Sequence, residues 1–353
     1  MNAAVFAFTE RGKATARRIG ALLEEAGDAV LYRAPEKLAG DGFEGYHGTL
    51  PDEVGALFHR DALIFVGACG IAVRAVAPHV ASKLSDPAVL CADERGRFVI
   101  SLLSGHIGGA NRLANRLGAA LGAIPVVTTA TDVNGRFSVD AWAAERGMRI
   151  GSMALAKRVS AEILTREIPF CADRADPGIA LPDGLVWGEK GELGICVSVR
   201  NRKPFRDTLL LTPRALCVGL GCRRGTPQAA VEAAIRAVFD RCDLSLEAVA
   251  EAASIDVKAD EPGLIACCEA HGWPLRFYSA QELAKVEGDF SKSEFVQNTV
   301  GVDNVCERAA AASGGTLIAR KTALNGVTVA VAERKWGIEF GEDTSGGHRP
   351  GRL

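Results

Sequence analysis

The stretch VISLLSGHIGGANRLANRLG, residues 99–118, decides the fold. It reads as a buried strand running straight into a helix. Ile107, Ala110, Ala114, Leu117 and Leu121 recur at helical spacing, which predicts a helix beginning near residue 107. Ser104, Gly105, His106, Gly108 and Gly109 fill the join. Strand, small-residue turn and helix form the repeating unit of an open α/β sheet, whose ligands bind at the carboxyl ends of the strands. Backbone N–H groups at a helix start favour an anion or a developing oxyanion. The same terminus is expected to depress the pKa of His106, giving a neutral imidazole suited to general-base work. Gly108 and Gly109 would let a ligand or a neighbouring backbone approach closely. The plainer alternative makes Ser104 a helix cap and the glycines packing residues. Ser104 lacks the G-x-S-x-G frame of a nucleophile elbow.

Outward from this turn the same unit repeats. AAVFAF (3–8) is an apolar strand, and Thr9 can cap the helix that Gly27 stops. Residues 34–61 read as loop with one short helix. ALIFVGACG (62–70) is a second buried strand, and the helix after it is interrupted near Pro78. AVLCADERGRFVISLL reads as two strands joined by a type I turn, and IPVVTTATD supplies the next strand. The predicted architecture is α/β, with a doubly wound, mostly parallel N-terminal sheet over residues 1–133. Residues 134–213 form a variable middle segment, read as completing or extending that domain. Pro213 precedes a restart, and residues 214–336 form a separate C-terminal α/β domain. Its expected elements include the strand ALCVGLG, a helix opened by Thr226-Pro227, helices over 246–253 and 261–271, and the strands SIDVK and LRFYS. Ser279 and Glu282 fit a capping box, and Asn325-Gly326 marks a hairpin. Residues 337–353, polar and glycine-rich, are expected to be a disordered tail.

Composition narrows the function. The chain has 353 residues, 48% hydrophobic and 24% charged, with a net charge of −2. That is enough for two or three domains with real cores. No basic stripe points to nucleic acid. The N-terminal apolar run is too short for a secretory or membrane segment, so a cytoplasmic location is expected. The ten cysteines are scattered without a C-x-x-C or zinc-like spacing, so buried reduced thiols are expected, with no metal site.

Further turns carry candidate chemistry. GACGIAVRAVAP places Gly67, Gly70 and Arg74 at a strand end, where an arginine could reach a bound anion. It does not match a dinucleotide fingerprint. SKLSDPAV puts Lys83 and Asp86 in a loop, and TTATDVNGRFSVD puts Thr128, Thr129 and Asp132 on the expected ligand edge. In the C-terminal half, VGLGCRRGTP ends a strand in glycines and arginines. Arg223, Arg224, Lys258 and Lys321 could hold carboxylates.

GACGIAVRAVAP, KLSDPAVLCADERGRFVISLLSGHIGGANRLA and PVVTTATD resemble the N-terminal domain of the cobalamin-biosynthesis CbiG family, the cobalt-precorrin-5A hydrolases. VGLGCRRGT, ASIDVKADEPGL, SEFVQNTVGVDNVCERAA and KTALNGVTVAVA resemble that family's C-terminal domain, which also occurs alone as the CobE-like protein. The resemblance implies opening of the δ-lactone of a ring-contracted corrin precursor. The extruded carbon and its methyl group then leave as acetaldehyde, giving cobalt-precorrin-5B. It also implies a substrate rimmed with carboxylates. On that basis His106 is the expected general base or acid, and Ser104 the second catalytic candidate. The expected substrate-binding set is Gly67, Gly70, Arg74, Lys83, Asp86, Gly105, Gly108, Gly109, Asn111, Thr128, Thr129 and Asp132. The second domain adds Gly221, Cys222, Arg223, Lys258, Glu261, Ser293, Gly301 and Lys321. The cobalt belongs to the substrate, so no cofactor or metal of the protein's own is expected. Neighbouring pathway methyltransferases and a second copy of the chain are candidate partners, and no nucleic acid or membrane is expected. Two rivals stand beside this reading. One is a non-catalytic carrier of tetrapyrrole intermediates, which would release no acetaldehyde. The other is a nucleotide-dependent oxidoreductase, disfavoured by the missing fingerprint.

Overall fold

The computed structural model describes residues 1–82, 85–176, 178–292 and 303–340. The chain divides into two compact units, Met1–Glu145 and a second beginning at Arg146.

The first unit is built on one sheet. Its strands are β1 (Asn2–Ala7), β2 (Ala29–Pro35), β3 (Glu44–Tyr46), β4 (Ala62–Val66), β5 (Ala88–Ala92), β6 (Phe98–Leu103) and β7 (Ile124–Val126), in the order β3-β2-β1-β4-β5-β6-β7. The helices are α1 (Glu10–Glu25), α2 (Leu50–Leu57), α3 (Cys69–Val76), α4 (Ala110–Leu121), α5 (Ala130–Val133) and α6 (Val139–Glu145). Alternation along β1 shows the double winding. Ala3, Val5 and Ala7 pack with Ile19 and Leu23 of α1 and Leu117 of α4, whereas Ala4 and Phe6 pack with Val54 of α2 and Val76 of α3. Thr9 caps α1, its Oγ1 accepting from the Gly12 amide at 3.0 Å.

The decisive feature is one reversed pair. β1 to β5 run parallel, but β6 pairs antiparallel with β5, and β7 pairs parallel with β6. The carboxyl ends of β6 and β7 therefore lie at the opposite edge of the sheet from those of β1, β4 and β5. Val89 pairs with Leu103 at one edge and Ala92 with Val66 at the other, about 10 Å of strand apart.

The first unit runs past the expected boundary at residue 133, because Val139, Trp142 and Ala143 of α6 are buried in it. Residues 146–213 do not extend the first sheet. Their strands β8 (Arg149–Ile150), β9 (Ile168–Ala172), β10 (Leu185–Trp187), β11 (Leu193–Val197) and β12 (Asp207–Thr212) form a separate sheet in the order β10-β9-β11-β12-β8, with α7 (Met153–Glu162). Val199 enters the C-terminal core, and Arg174 pairs with Glu333 at 2.6 Å, so this sheet belongs with the following segment.

That segment has the sheet order β15-β14-β13-β17-β16, from β13 (Leu216–Cys222), β14 (Val249–Ile255), β15 (Leu275–Tyr278), β16 (Thr316–Leu324) and β17 (Val327–Glu333). Its helices are α8 (Gln228–Arg241), α9 (Pro262–His271), α10 (Ala280–Ala284) and α11 (Val305–Ala311). The Ser279–Glu282 capping box is present, and Asn325 and Gly326 both take positive φ between β16 and β17. The helix expected over 246–253 is instead a single short turn at Leu246–Ala248 followed by β14. Burial on both sheet faces overrides the helical propensity of its alanines and glutamates. The expected disordered tail does not begin at Gly337: Ile338 is 2% exposed, and Phe340 meets Phe170 edge-on at 5.7 Å. Among the described residues, no helix is long and apolar enough to cross a membrane.

Candidate functional site

The turn after β6 is tighter than the helical spacing predicts. α4 begins at Ala110, not near 107, and its N-cap is Gly109 at φ +80°, a conformation that favours glycine. The amides of Ala110 and Asn111 donate to the carbonyls of Ser104 (3.1 Å) and Gly105 (3.0 Å), and the Gly109 amide donates to His106 (2.9 Å). Those N–H groups therefore close the loop on itself and are not offered to an anion. Ser104 has φ +58°, and its buried Oγ has no hydrogen-bond partner. It neither caps the helix nor bonds to His106. A Cβ on Gly108 would stand 2.9 Å from the Ser104 carbonyl oxygen and closer still to its Cβ. One on Gly105 would stand 2.6 Å from Asn111 Oδ1. These two glycines serve the loop's own packing.

The turn holds His106 between two carboxylates. Its Nε2 lies 2.9 Å from Asp132 Oδ2, and its Nδ1 lies 3.1 Å from Asp140 Oδ1. Thr131 Oγ1 is 3.2 Å from Nε2. Asn111, on the first turn of α4, donates through Nδ2 to Thr129 Oγ1 (2.9 Å) and Asp132 Oδ2 (3.2 Å). Asp140 is buried at the start of α6, where Oδ1 also accepts from Ser138 Oγ and the Ala141 amide, both at 3.1 Å. The His106 side chain is 16% exposed. Burial alone pushes its pKa down, but the hydrogen bonds and charges of Asp132 and Asp140 outweigh it and hold the pKa up at about 9. The expected neutral imidazole is thus corrected: His106 is an imidazolium at neutral pH. An acid poised to give a proton sits beside Asp132, a half-buried carboxylate able to accept one.

The reversed strand pair sorts the other candidates of this unit. Thr128, exposed, and Thr129 share the edge with His106. Asp86 lies beside Gly108, but its carboxylate accepts from the amides of Ala81 (3.1 Å) and Ser82 (3.0 Å), which holds a loop. Gly67, Gly70 and Arg74 follow β4 and lie at the opposite edge, so they do not join this group. In the second unit, Glu261 accepts from the Gly225 amide (2.9 Å) and pairs with Lys258 (3.1 Å). Both charges act on the Cys222 thiol, whose pKa burial raises. Gly221 is held against Thr328, and Arg223 is exposed. Lys321 lies on β16, two strands from β13. Arg224 is committed to Asp260 at 2.7 Å. Lys83, Ser293 and Gly301 lie outside the described residues. All ten cysteines are free thiols.

Asp140 and Thr131 were missed as site residues. Asp140 falls beyond the domain boundary expected at 133. Its one local signal is Ser138-x-Asp140 at a helix start, a pattern that marks caps throughout proteins.

The family described as "Cobalamin synthesis G N-terminal" matches residues 53–132, and "Cobalamin synthesis G C-terminus" matches residues 216–332. A protein named cobalt-precorrin-5A hydrolase from Salmonella typhimurium is 37% identical over 92% of this chain and 96% of its own length. One of the same name from Priestia megaterium is 31% identical over 93% of this chain and 94% of its own. The crystal structure of a cobalamin biosynthesis protein G homologue from Sulfolobus solfataricus covers 95% of this chain and 97% of its own, at 21% identity and a TM-score of 0.40.

Proposed function

The chain belongs to the cobalamin-synthesis G family, and from that premise we infer that it is a cobalt-precorrin-5A hydrolase, opening the substrate's δ-lactone and releasing acetaldehyde. The activity rests on end-to-end similarity to relatives of that name. The site assignment rests on one observation, the His106 imidazole held between Asp132 and Asp140.

Water adds to the lactone carbonyl, and Asp132 takes its proton. The tetrahedral intermediate collapses with cleavage of the ring carbon–oxygen bond, and the His106 imidazolium protonates the departing alkoxide. Asp140 keeps the ring oriented and its charge balanced through Nδ1. The freed alcohol then loses its O–H proton as the adjacent carbon–carbon bond breaks. The electron pair stays on the macrocycle, which takes a proton, and acetaldehyde departs. One water enters and one aldehyde leaves, with no redox change. The protein needs no cofactor of its own for these steps, since the cobalt arrives with the substrate.

Thr128 and Asn111 border the reacting group. A cytoplasmic location, hand-over to neighbouring methyltransferases and self-association belong to the same reading. The test is acetaldehyde release from cobalt-precorrin-5A by the intact protein and by His106→Ala. A variant that opens the lactone at the parental rate removes His106 from the chemistry.

A further inference from the structure

Away from these residues, α8 and α9 pack side by side against the C-terminal sheet. Cys267 and His271 are one helical turn apart on α9 and so share a face. Glu232 faces them from α8. The thiol donates to Glu232 Oε2 at 3.4 Å, and His271 Nε2 lies 2.7 Å from the same oxygen. The three ligating atoms lie within 4.8 Å of one another, which among the described residues no other group of this kind does. Cys267 is fully buried, while the Glu232 and His271 side chains are 24% and 21% exposed, so the group opens to solvent on one side. Trp273 stacks on the His271 ring at 4.2 Å and 12°, fixing its orientation. The other oxygen of Glu232, Oε1, is buried and has no directed hydrogen bond, although Arg236 Nε stands 2.5 Å away.

We propose that Glu232, Cys267 and His271 form a binding site for one divalent transition-metal ion of the Zn²⁺ or Co²⁺ class, with water completing the shell. The donor set is one sulfur, one imidazole nitrogen and one carboxylate oxygen. A thiolate and an imidazole select such ions over Mg²⁺ and Ca²⁺, which take oxygen. Tetrahedral coordination at about 2.0 Å to nitrogen and oxygen and about 2.3 Å to sulfur puts ligand atoms about 3.3–3.5 Å apart. The sulfur–oxygen separation already meets this. The nitrogen–oxygen hydrogen bond opens by about 0.6 Å to admit the ion. The ion takes the place of the thiol proton, which is released, and binds His271 through Nε2 with the imidazole proton on Nδ1, and it ties α8 to α9 across one groove. Arg236 swings out to solvent, since its charge opposes the ion's.

The test uses the untagged full-length chain, stripped of metal and titrated with Co²⁺ under reducing conditions. The expected result is one ion per chain, with a thiolate-to-cobalt charge-transfer band and tetrahedral d–d bands, displaced by Zn²⁺. Cys267→Ser abolishes the charge-transfer band. His271→Gln and Glu232→Gln, both at the exposed side of the groove, weaken binding by more than the roughly 10–100-fold typical of outer-shell changes. Circular dichroism checks that each variant is folded. Absence of stoichiometric binding, or binding that His271→Gln and Glu232→Gln leave unchanged, overturns the site. A charge-transfer band that persists in folded Cys267→Ser assigns the ion to another cysteine and overturns it equally.

Discussion

Raising the pH from 6 to 10 removes the His106 charge and should loosen the first unit by an amount that follows from the site. The ordinary histidine pKa is 6.5, and Asp132 and Asp140 hold that of His106 at about 9. The folded state therefore keeps a proton that the unfolded chain has lost, and stability falls with pH between those values. The contribution is complete below about 6.5, declines by about 1.4 kcal/mol per pH unit, and is gone above about 9. The total is about 3 kcal/mol. Trp142 is the one tryptophan of Met1–Glu145, buried beside Phe137 with ring centroids 5.6 Å apart. In a background with Trp187, Trp273 and Trp336 replaced by phenylalanine, its fluorescence during urea unfolding reports this unit alone. The comparison is with His106→Gln, which cannot titrate and cancels other groups that do. At pH 6 the variant should be weaker by about 3–5 kcal/mol, because Asp140 is left buried without its cation. By pH 10 the gap should narrow by about 3 kcal/mol. Parallel curves for the two proteins across pH 6.5–9 would refute the ion-pair account of His106.

The same protonation state places the alkaline limb of kcat near pH 9. Asp140→Asn should move that limb toward the ordinary histidine range and lower kcat by roughly 10–100-fold, read from initial rates of acetaldehyde release. Gly108→Ala forces a Cβ against Ser104 and should destabilise the first unit by roughly 1–3 kcal/mol in the same urea assay. Ser104→Ala removes a buried hydroxyl that has no partner, so stability and turnover should both stay near parental. A large loss of turnover would return Ser104 to the chemistry.

Local pattern carried much of this fold. The Thr9 cap, the Ser279–Glu282 box and the Asn325-Gly326 hairpin are short-range features, written within a few residues of where they act. The pairing between strands is not written that way. The β5–β6 hairpin was legible in DERG, yet its consequence, moving Gly67 and Arg74 to the other edge from His106, appears only once β4 is seen parallel to the β5 that β6 opposes. Charge followed the same rule. A histidine near a helix start reads as neutral, whereas Asp132 and Asp140, 26 and 34 residues further on, decide otherwise. Val249–Ile255 shows tertiary context overriding propensity: alanine and glutamate favour a helix, but burial in the sheet makes it a strand.

The most direct measurement is acetaldehyde formed on mixing purified protein with cobalt-precorrin-5A. Catalytic release, lost in His106→Ala, with the opened product accumulating in step, is the predicted result. A protein that binds the corrinoid yet yields no acetaldehyde would be a carrier, and would contradict the account.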